Sequence, residues 1–541
     1  MGLLAISSAV LAWMAFPPLA LWPLAWIAPV GWIRIVAWSE LPRKYPYRIL
    51  YAIAFLQWVV MIQWVRLPHW TAGIGMCFLA AYLAIYVPLF IGVARIMVHR
   101  WGWSLLLVAP IAWTGLEVAR GYLFTGFALM LLGHTQVSVL PVLQIADLFG
   151  AYGVSFLIVL VSACFERLLP MRERESSIAI PVLVAFVALA ATLVYGAMRL
   201  SVDSSGGEQF KVALIQGSFD TQFDGDYQRN VKAFQDYVRL TQKAVADQSD
   251  YDLVIWPESM FTANEPMVTY DVPLQPIPEW DQSLQELQQR IDQMAERTRD
   301  KARWIASEVN APLIVGGAWE HLQDGTHSRY NAAMLIEKNG ELTDRYFKMH
   351  PVMFGKYLPL GRWIPSLYQL SPMGQGLTAG LHPKSFDIDG VRIAPSICFE
   401  NTVPHLMRRQ IKTLAQAGQD PDLLVTITND GWFWGSSALD VHLASAVFRA
   451  IELRRPLLIA ANTGFSAQID ADGRLAAKGP RREEAILSAT VNSSQLESPY
   501  LVVGDLFPGL CLLVVIVAFG AEGWNRVKRP KHLPPKSVPA S

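Results

Sequence analysis

Long apolar runs fill the first 200 residues of the chain, and one more lies near its end. A helix that spans a membrane needs roughly 20 predominantly apolar residues. Eight runs approach this length, if the first two are separate helices broken at Pro17-Pro18. The pattern predicts a multi-span helical membrane domain at 1–200, with about seven spans, and a final span at 500–520. The approximate bounds of the eight spans are 3–16, 18–38, 48–66, 73–98, 103–119, 152–168, 177–198 and 500–520.

A different pattern extends from residue 207 to residue 495. Short runs rich in β-branched and aromatic residues alternate there with stretches in which apolar residues recur at helical spacing. This alternation is typical of a layered α/β domain. Predicted strands lie at 211–216, 253–256, 312–318, 331–337, 391–397, 423–428 and 457–460, and predicted helices lie at 228–244, 281–309 and 441–454. Residues 521–541, after the last span, form a basic tail.

Composition and charge agree with this division. Hydrophobic residues make up 52% of the chain and charged residues 17%, whereas soluble domains average about 25% charged residues. The formal net charge is zero. This balance gives no global basic field of the kind that binds nucleic acid.

Lysine and arginine in short loops predict the orientation in the membrane, because cytoplasmic loops carry the excess of positive charge. Basic clusters follow the second, fourth, sixth and eighth predicted spans, so they fall on one side of the bilayer. Both termini are then cytoplasmic, and residues 207–495 face outward, which in a diderm bacterium is the periplasm. The clusters are Arg43, Lys44 and Arg48; Arg95 and Arg100; Arg167, Arg172 and Arg174; and Arg526, Lys528, Arg529 and Lys531.

Two charged residues, Glu117 and Arg120, lie within or just beyond the fifth predicted span. Charges at membrane depth often mark a functional site. These two are three residues apart on one helix face, where opposite charges attract. We therefore predict that they pair with each other.

Cysteine usage singles out one residue. Cys77, Cys164 and Cys511 lie in apolar runs, and Cys398 lies in the α/β part. No two of them can plausibly pair, which excludes a disulfide framework. Cys398 is therefore either part of a packed core or a nucleophile.

Three reactive side chains each lie at or near the end of a strand-like run. Glu258 comes after LVIWP, Lys348 stands in DRYFKMHP after the hairpin-like LIEKNGEL, and Cys398 comes after RIAPSI. Ligands collect at strand ends in α/β folds. A carboxylate can take the proton of a thiol, and an ammonium can stabilise the oxyanion that forms when the thiolate attacks a carbonyl. The backbone N–H of Phe399 is a candidate second oxyanion donor. Considered singly, each residue also has a non-catalytic interpretation. Glu258 could be a solvated residue at the rim of the sheet, Lys348 a surface residue and Cys398 a residue of the packed core.

The segments around these residues resemble a known family. LVIWPES, RYFKMHPVMFGKYLP and SICFE are similar to the three signature segments of the nitrilase superfamily, in the same order. Further segments resemble its apolipoprotein N-acyltransferase branch, and the resemblance runs from about residue 10 to residue 520. These segments are ALWPLAWIAPV, VLQIADLFGAYGVSFLIVLVSA, VALIQGS, PDLLVTITNDGWFWGS and FRAIELRRPLLIAANTGFSAQID.

The resemblance implies an α-β-β-α sandwich with Glu258 as base, Lys348 as oxyanion stabiliser and Cys398 as nucleophile. It also implies a two-step transfer, in which Cys398 takes an acyl chain from a phospholipid and passes it to the N-terminal amine of a diacylglyceryl-modified apolipoprotein. Such an enzyme belongs in the bacterial inner membrane. No cofactor is implied, and the His and Cys spacing predicts no metal site. Four residues are candidates for a lipid access arm or for ordinary packing: Trp363, Ile364, Leu367 and Tyr368.

The chain also departs from the family pattern. Lys356 stands where the family usually has the acid of an FGE segment. A second cation near Lys348 disfavours the charged form of that lysine. Glu400 matches an acidic position of the family and is a candidate source of the missing negative charge, with His350 as a weaker candidate partner. Phe399 replaces a frequent tyrosine.

Two other functions stay open at this point. The first is a membrane-tethered acyltransferase or amidase of the nitrilase type with another acceptor, which Lys356 favours. The second is a non-catalytic lipid-binding homologue, for which Cys398→Ala would leave function unchanged.

Overall fold

The structure is a computed structural model that describes residues 1–42, 44–170, 179–202, 209–222, 226–248, 250–262, 265–276, 283–352, 376–492 and 496–528. Five residues predicted for the site or the lipid access arm lie outside these ranges: Lys356, Trp363, Ile364, Leu367 and Tyr368.

Nine α-helices are described in the first 200 residues. They are α1 (Gly2–Ala15), α2 (Val30–Ala37), α3 (Pro46–Met61), α4 (Trp70–Ala84), α5 (Tyr86–His99), α6 (Leu105–Tyr122), α7 (Leu140–Leu143), α8 (Ala146–Leu168) and α9 (Ala179–Leu200). Among the described residues, four helical stretches are long and apolar enough to cross a membrane: Trp70–His99, Ala146–Leu168, Ala179–Leu200 and Leu506–Trp524. Shorter apolar helices lie at Gly2–Ala15, Trp22–Ala37 and Pro46–Met61. The multi-span membrane domain is therefore supported, while the number of about eight spans stays a prediction.

The last long helix of the chain returns to the N-terminal helices. After α14 (Pro499–Val503), helix α15 (Leu506–Lys528) packs against α6. A Cβ atom on Gly115 would lie 2.8 Å from the backbone of Cys511. Small residues allow such close approach of helices in a membrane. The two ends of the chain thus form one helical bundle.

The predicted pairing of Glu117 with Arg120 is wrong. Glu117 Oε1 accepts the backbone N–H of Leu132 at 2.9 Å. The Arg120 guanidinium donates to the carbonyls of Leu129 and Met130 at 3.3 and 3.2 Å. Buried backbone groups need hydrogen-bond partners, and the loop after α6 takes both side chains for that purpose.

The α/β part contains two β-sheets that face each other. The first has seven strands in the order β13-β1-β2-β4-β5-β6, with β3 paired to β4. The second has six strands in the order β12-β11-β10-β9-β8-β7. The strands are β1 (Gln209–Gln216), β2 (Leu253–Ile255), β3 (Met267–Tyr270), β4 (Leu313–Gln323), β5 (Thr326–Ile336), β6 (Leu342–Phe347), β7 (Phe386–Ile388), β8 (Val391–Ile397), β9 (Leu423–Thr428), β10 (Leu457–Ala461), β11 (Ala467–Ile469), β12 (Leu475–Lys478) and β13 (Ala485–Asn492).

Helices cover the outer face of each sheet. The first sheet carries α10 (Tyr227–Asp247) and α11 (Leu284–Val309), and the second carries α12 (Pro404–Gln416) and α13 (Ala438–Leu453). Side chains alternate between the two faces of a strand. In β1, Val212 and Leu214 pack between the sheets, whereas Ala213 and Ile215 pack under the helices. This arrangement is the α-β-β-α sandwich that the resemblance implies.

The sandwich and the membrane helices share one hydrophobic core. Phe448, Ala450 and Ile451 of α13 belong to the same buried cluster as Ile158 and Val159 of α8. The second sheet therefore lies on the membrane side of the sandwich, with α13 between that sheet and α8.

Candidate active site

The structure brings the three predicted catalytic residues to the ends of three strands. Glu258 follows β2, Lys348 follows β6 directly, and Cys398 follows β8 directly. Lys348 and Glu258 are 1% and 2% exposed, and Lys348 Nζ lies 3.5 Å from Glu258 Oε1. Both charges act on the Cys398 thiol. The site therefore joins a buried carboxylate and a buried ammonium with a half-buried thiol.

Cys398 has a strained backbone. Its φ is +54° where β8 turns into the short 3-10 helix Cys398–Thr402. This region of φ is uncommon for a residue with a side chain, and such strain concentrates at functional sites. A hydrogen bond from His442 Nε2 to the Cys398 carbonyl, at 3.1 Å, supports this turn.

His442 links the nucleophile to Asp430. Its Nδ1 lies 3.3 Å from Asp430 Oδ1, opposite the bond from Nε2 to Cys398. A carbonyl and a carboxylate both accept hydrogen bonds, so the two ring nitrogens donate only in the imidazolium form. Burial would lower the pKa of His442, but Asp430 outweighs it and the pKa is raised. His442 is thus a charged support behind Cys398.

Glu258 is fixed by two neutral donors besides Lys348. The Asn331 side-chain amide donates to Oε1 at 2.5 Å, and the backbone N–H of Asn429 donates to Oε2 at 3.0 Å. Gly316 of β4 packs directly against this segment, because a Cβ there would lie 2.5 Å from the Pro257 carbonyl. The carboxylate therefore has a defined orientation toward the site.

The ionisation of Lys348 and Cys398 follows from their surroundings. Burial would lower the pKa of Lys348, but Glu258, Cys398 and Glu400 outweigh it and raise the pKa. Burial, and then the negative charge of Glu258, raise the pKa of Cys398 to about 12, although Lys348 opposes them. At neutral pH the site therefore holds an ammonium and a neutral thiol, and the thiol needs a base during attack.

Glu400 connects the strand ends that carry Lys348 and Cys398. It accepts the Tyr346 hydroxyl at 2.9 and 3.0 Å and the backbone N–H groups of Met349 and His350 at 2.7 and 3.0 Å. It also accepts the N–H of Ile397, next to Cys398, at 2.7 Å. Burial raises the pKa of Glu400, opposed by Lys348 and these donors. Glu400 therefore positions Lys348 and supplies negative charge near it.

Other predicted site residues lie nearby. Phe399 is half-buried against the membrane-side core, and its ring stacks on His350 with centroids 6.1 Å apart. The oxyanion role of its N–H stays a prediction. His350 contacts the backbone of Thr125 from the membrane domain, and burial lowers its pKa. His350 therefore lies where the site meets the membrane helices.

Of the residues that support the triad, Glu400 was predicted from the sequence, whereas Asn331, Asn429, Asp430 and His442 were missed. Asn429 and Asp430 stand in the TNDGW stretch, which carried family resemblance but no predicted role. Asn331 and His442 give no signal by spacing, because they reach the site only through the pairing of distant segments. Among the residues that the structure describes, no group of His, Cys, Asp and Glu side chains is arranged to hold a metal ion.

Comparisons with known proteins match both parts of the chain. Residues 8–164 match the apolipoprotein N-acyltransferase N-terminal domain, and residues 211–499 match the carbon-nitrogen hydrolase family. An apolipoprotein N-acyltransferase from Geobacter metallireducens is 34% identical, over 94% of this chain and 93% of that protein. The enzyme of the same name from Rhodopirellula baltica is 32% identical over 93% of both chains, and that from Pasteurella multocida is 26% identical over 98% and 97%.

A solved structure of yeast Nit3, a member of branch 10 of the nitrilase superfamily, overlaps with a TM-score of 0.37 and 14% identity, over 61% of this chain and 99% of that chain. A TM-score this low gives no further support to the fold described above. The sequence relatives extend over both the membrane helices and the sandwich. The chain therefore belongs to the apolipoprotein N-acyltransferase family.

Proposed function

We propose that the protein moves an acyl chain from a phospholipid to the N-terminal amine of a diacylglyceryl-modified cysteine in apolipoproteins. The observation that carries the proposal is the cluster of the buried Glu258 and Lys348 with the half-buried Cys398, in a sandwich that shares its core with a membrane bundle. Both substrates carry acyl chains that lie in the bilayer, so a site in a sandwich packed against membrane helices suits them. Family membership adds support.

In the first step, Glu258 accepts the Cys398 proton as the sulfur attacks the ester carbonyl of the phospholipid. Lys348 and the N–H of Phe399 stabilise the oxyanion. The carbonyl reforms as the C–O ester bond breaks, and Glu258 returns the proton to the departing glycerol oxygen. The products are a lysophospholipid and an acyl-thioester on Cys398.

In the second step, the free amine of the apolipoprotein attacks the thioester carbonyl. Glu258 accepts a proton from the nitrogen, and Lys348 again stabilises the oxyanion. The C–S bond breaks, and the proton passes from Glu258 to the sulfur. An amide forms, and the Cys398 thiol is restored without a cofactor.

The proposal includes a location and a division of the chain. Residues 1–200 and 500–520 form the membrane domain, residues 207–495 form the catalytic domain, and residues 521–541 form a cytoplasmic tail. The catalytic domain faces the periplasm from the inner membrane, and both termini are cytoplasmic. Trp363, Ile364, Leu367 and Tyr368 belong to the proposed lipid access arm.

The test is formation of the acyl-enzyme. The purified protein in detergent is incubated with a phospholipid whose acyl chain carries an alkyne, and the label on Cys398 is mapped by mass spectrometry. We expect a hydroxylamine-sensitive adduct that Cys398→Ala removes and the matched control Cys77→Ala keeps. No adduct on either the unchanged protein or Lys356→Glu would support the non-catalytic homologue instead.

The effect of Lys356 on acyl-enzyme formation is tested separately. We propose that the triad is competent with lysine at this position, because Glu400 already provides negative charge beside Lys348. An adduct that forms on Lys356→Glu but not on the unchanged chain would contradict this.

The acceptor is tested with the preformed adduct. A diacylglyceryl-cysteine peptide with a free amine should discharge the thioester, and its N-acetylated form should not. Discharge by simple amines or water alone would favour the alternative with another acceptor. Complementation of a strain depleted of its own N-acyltransferase, followed by mass spectrometry of a lipoprotein N-terminus, tests the same point in cells.

A further inference from the structure

Strand β9 ends beside the nucleophile. Strands β8 and β9 pair in parallel, and Ser396 of β8 lies beside Thr426 of β9, with their hydroxyls 2.9 Å apart. Residues two positions apart on a strand share a face of the sheet. The same register therefore places Cys398, directly after β8, beside Thr428, the last residue of β9.

The Thr428 hydroxyl contacts both the thiol and Asp430. Thr428 is fully buried, and its hydroxyl donates to Asp430 Oδ1 at 3.1 Å. The hydroxyl also forms a hydrogen bond with the Cys398 side chain, which acts to lower the pKa of the thiol. A hydroxyl has one hydrogen and two lone pairs. While the sulfur is protonated, Thr428 can therefore donate to Asp430 and accept the S–H.

Loss of the thiol proton changes this balance. A thiolate accepts hydrogen bonds, and a hydrogen bond to an ionised group is stronger than one between neutral groups. Asp430 keeps a cation beside it when the hydroxyl turns away, because His442 Nδ1 lies 3.3 Å from its Oδ1. The hydroxyl can therefore leave the carboxylate for the sulfur.

The other donors of the site serve other atoms. His442 Nε2 donates to the Cys398 carbonyl at 3.1 Å. Lys348 Nζ lies 3.5 Å from Glu258 Oε1, and in the proposed reaction it stabilises the oxyanion. The sulfur carries negative charge both when it attacks and when it leaves. Thr428 supplies a hydrogen bond to it at both moments.

We propose that Thr428 is a further catalytic residue, whose hydroxyl turns from Asp430 to the Cys398 sulfur as negative charge develops there. The hydroxyl keeps its own proton, and Glu258 still takes and returns the thiol proton. The hydrogen bond stabilises the sulfur as nucleophile in the first step and as leaving group in the second. This role rests on the proposed acyl transfer, but its effect on the thiol can be measured without a lipid.

Thr428→Val tests the proposal in the full-length protein, because valine has a similar shape and no hydroxyl. The probe is iodoacetamide, and alkylation of Cys398 across a pH series is followed by mass spectrometry. We expect the alkylation rate at a given pH to fall about tenfold, because one hydrogen bond to a charged atom is lost. Thr428→Ser keeps the hydroxyl and should recover most of the rate.

Thr426→Val is the matched control. Thr426 is also fully buried on β9, but its hydroxyl bonds to Ser396 and not to the nucleophile. This variant should lower the Tm as Thr428→Val does, yet leave the alkylation rate unchanged. If Thr428→Val fails to fold, Thr428→Ala, which also removes the hydroxyl, is measured in its place.

The acyl transfer supplies a second readout. Thr428→Val should slow acyl-enzyme formation from the alkyne phospholipid and discharge by the diacylglyceryl-cysteine peptide, each about tenfold. The phospholipid KM should change little. An unchanged protein that forms no acyl-enzyme would contradict the proposed transfer, while the alkylation rates would still test Thr428.

Three results would overturn the role of Thr428. They are an unchanged alkylation rate in Thr428→Val, an equal fall in Thr426→Val, and no recovery in Thr428→Ser. The first means that the hydroxyl does not act on the sulfur. The other two mean that the effect comes from a general disturbance of β9.

Discussion

Glu258 has two opposite effects on Cys398. Its negative charge is a cause of the raised thiol pKa of about 12, yet the proposed reaction needs it as the base. Glu258→Gln should therefore lower the thiol pKa while it slows acyl-enzyme formation by a factor on the order of 10²–10⁴. The pH dependence of iodoacetamide alkylation, followed by mass spectrometry, measures the first effect.

Lys348→Met is the control for this prediction, because removal of the cation should shift the alkylation profile to higher pH. Both variants should lose acyl-enzyme formation. If Glu258→Gln also shifts alkylation upward, the carboxylate does not act on the thiol as the structure indicates.

His442 should act as a positioning residue. His442→Ala leaves the buried Asp430 without its cation and the Cys398 carbonyl without a donor. We expect slower acyl-enzyme formation with little change in the phospholipid KM, and a stability loss of about 2 kcal/mol. His442→Gln, which can still donate one hydrogen bond, should recover part of the rate.

The stability effect of His442 has a defined pH dependence. Its folded-state pKa is raised above the unfolded value of about 6.5. The stabilisation is therefore complete below about pH 6.5 and is lost as the pH rises through the folded-state pKa. Thermal unfolding of the two chains across pH 5–9 measures it. A difference in Tm that grows with rising pH would contradict the ion pair with Asp430.

At the scale of elements, strand β4 sets the position of the base. Gly316→Ala would place a Cβ 2.5 Å from the Pro257 carbonyl and 2.6 Å from Glu258 Cα. We expect a stability loss of about 1–3 kcal/mol and a larger relative loss of acyl-enzyme formation, because Glu258 must move. Gly75→Ala is the control, since nothing lies within 4 Å of that added Cβ. Full activity of Gly316→Ala would show that the segment adapts.

The sequence predicted the strands that carry Glu258 and Cys398, but neither strand β6, which carries Lys348, nor most of the residues that support the triad. The predicted strand at 391–397 matches β8, and the predicted strand at 253–256 contains β2. These strands could be predicted because each is a hydrophobic run that ends at or near a reactive residue. Asn331 donates to Glu258 across 73 residues of sequence, and no local pattern encodes such a contact. Short strands such as β3, β7, β11 and β12 were missed because three or four residues give too little periodicity.

At the scale of the molecule, hydropathy predicted the division into membrane and α/β parts but not the number of spans. Helix α6 carries Glu117 and Arg120, and it is not among the four stretches that meet the length and hydropathy expected of a span. Helices α1 and α3 have 14 and 16 residues, short of the roughly 20 that a span needs. Hydropathy alone cannot separate short spans from buried helices.

A buried ion pair should hold the sandwich on the membrane domain. Asp147 of α8 accepts Arg454, just after α13, at 2.6 and 3.0 Å, and also contacts Arg199 of α9 at 2.8 Å. Asp147 and Arg454 are 0% and 1% exposed. Removal of one partner of a buried pair costs roughly 3–5 kcal/mol, because the other charge stays buried. Asp147→Asn should therefore lower the Tm and the acyl-transfer rate together.

Two further variants test whether the loss of stability comes from this ion pair or from the removal of any charge. Arg454→Met combined with Asp147→Asn should cost less than the sum of the single changes, because neither Asp147 nor Arg454 then leaves the other's charge buried alone, and only Arg199 loses a partner. Glu484→Gln removes the partner of Arg239 in an exposed pair, and such pairs contribute only about 0–1 kcal/mol. Additive losses in the double variant would mean that the two residues stabilise the protein independently. The shared hydrophobic core would then be what joins the catalytic sandwich to the membrane.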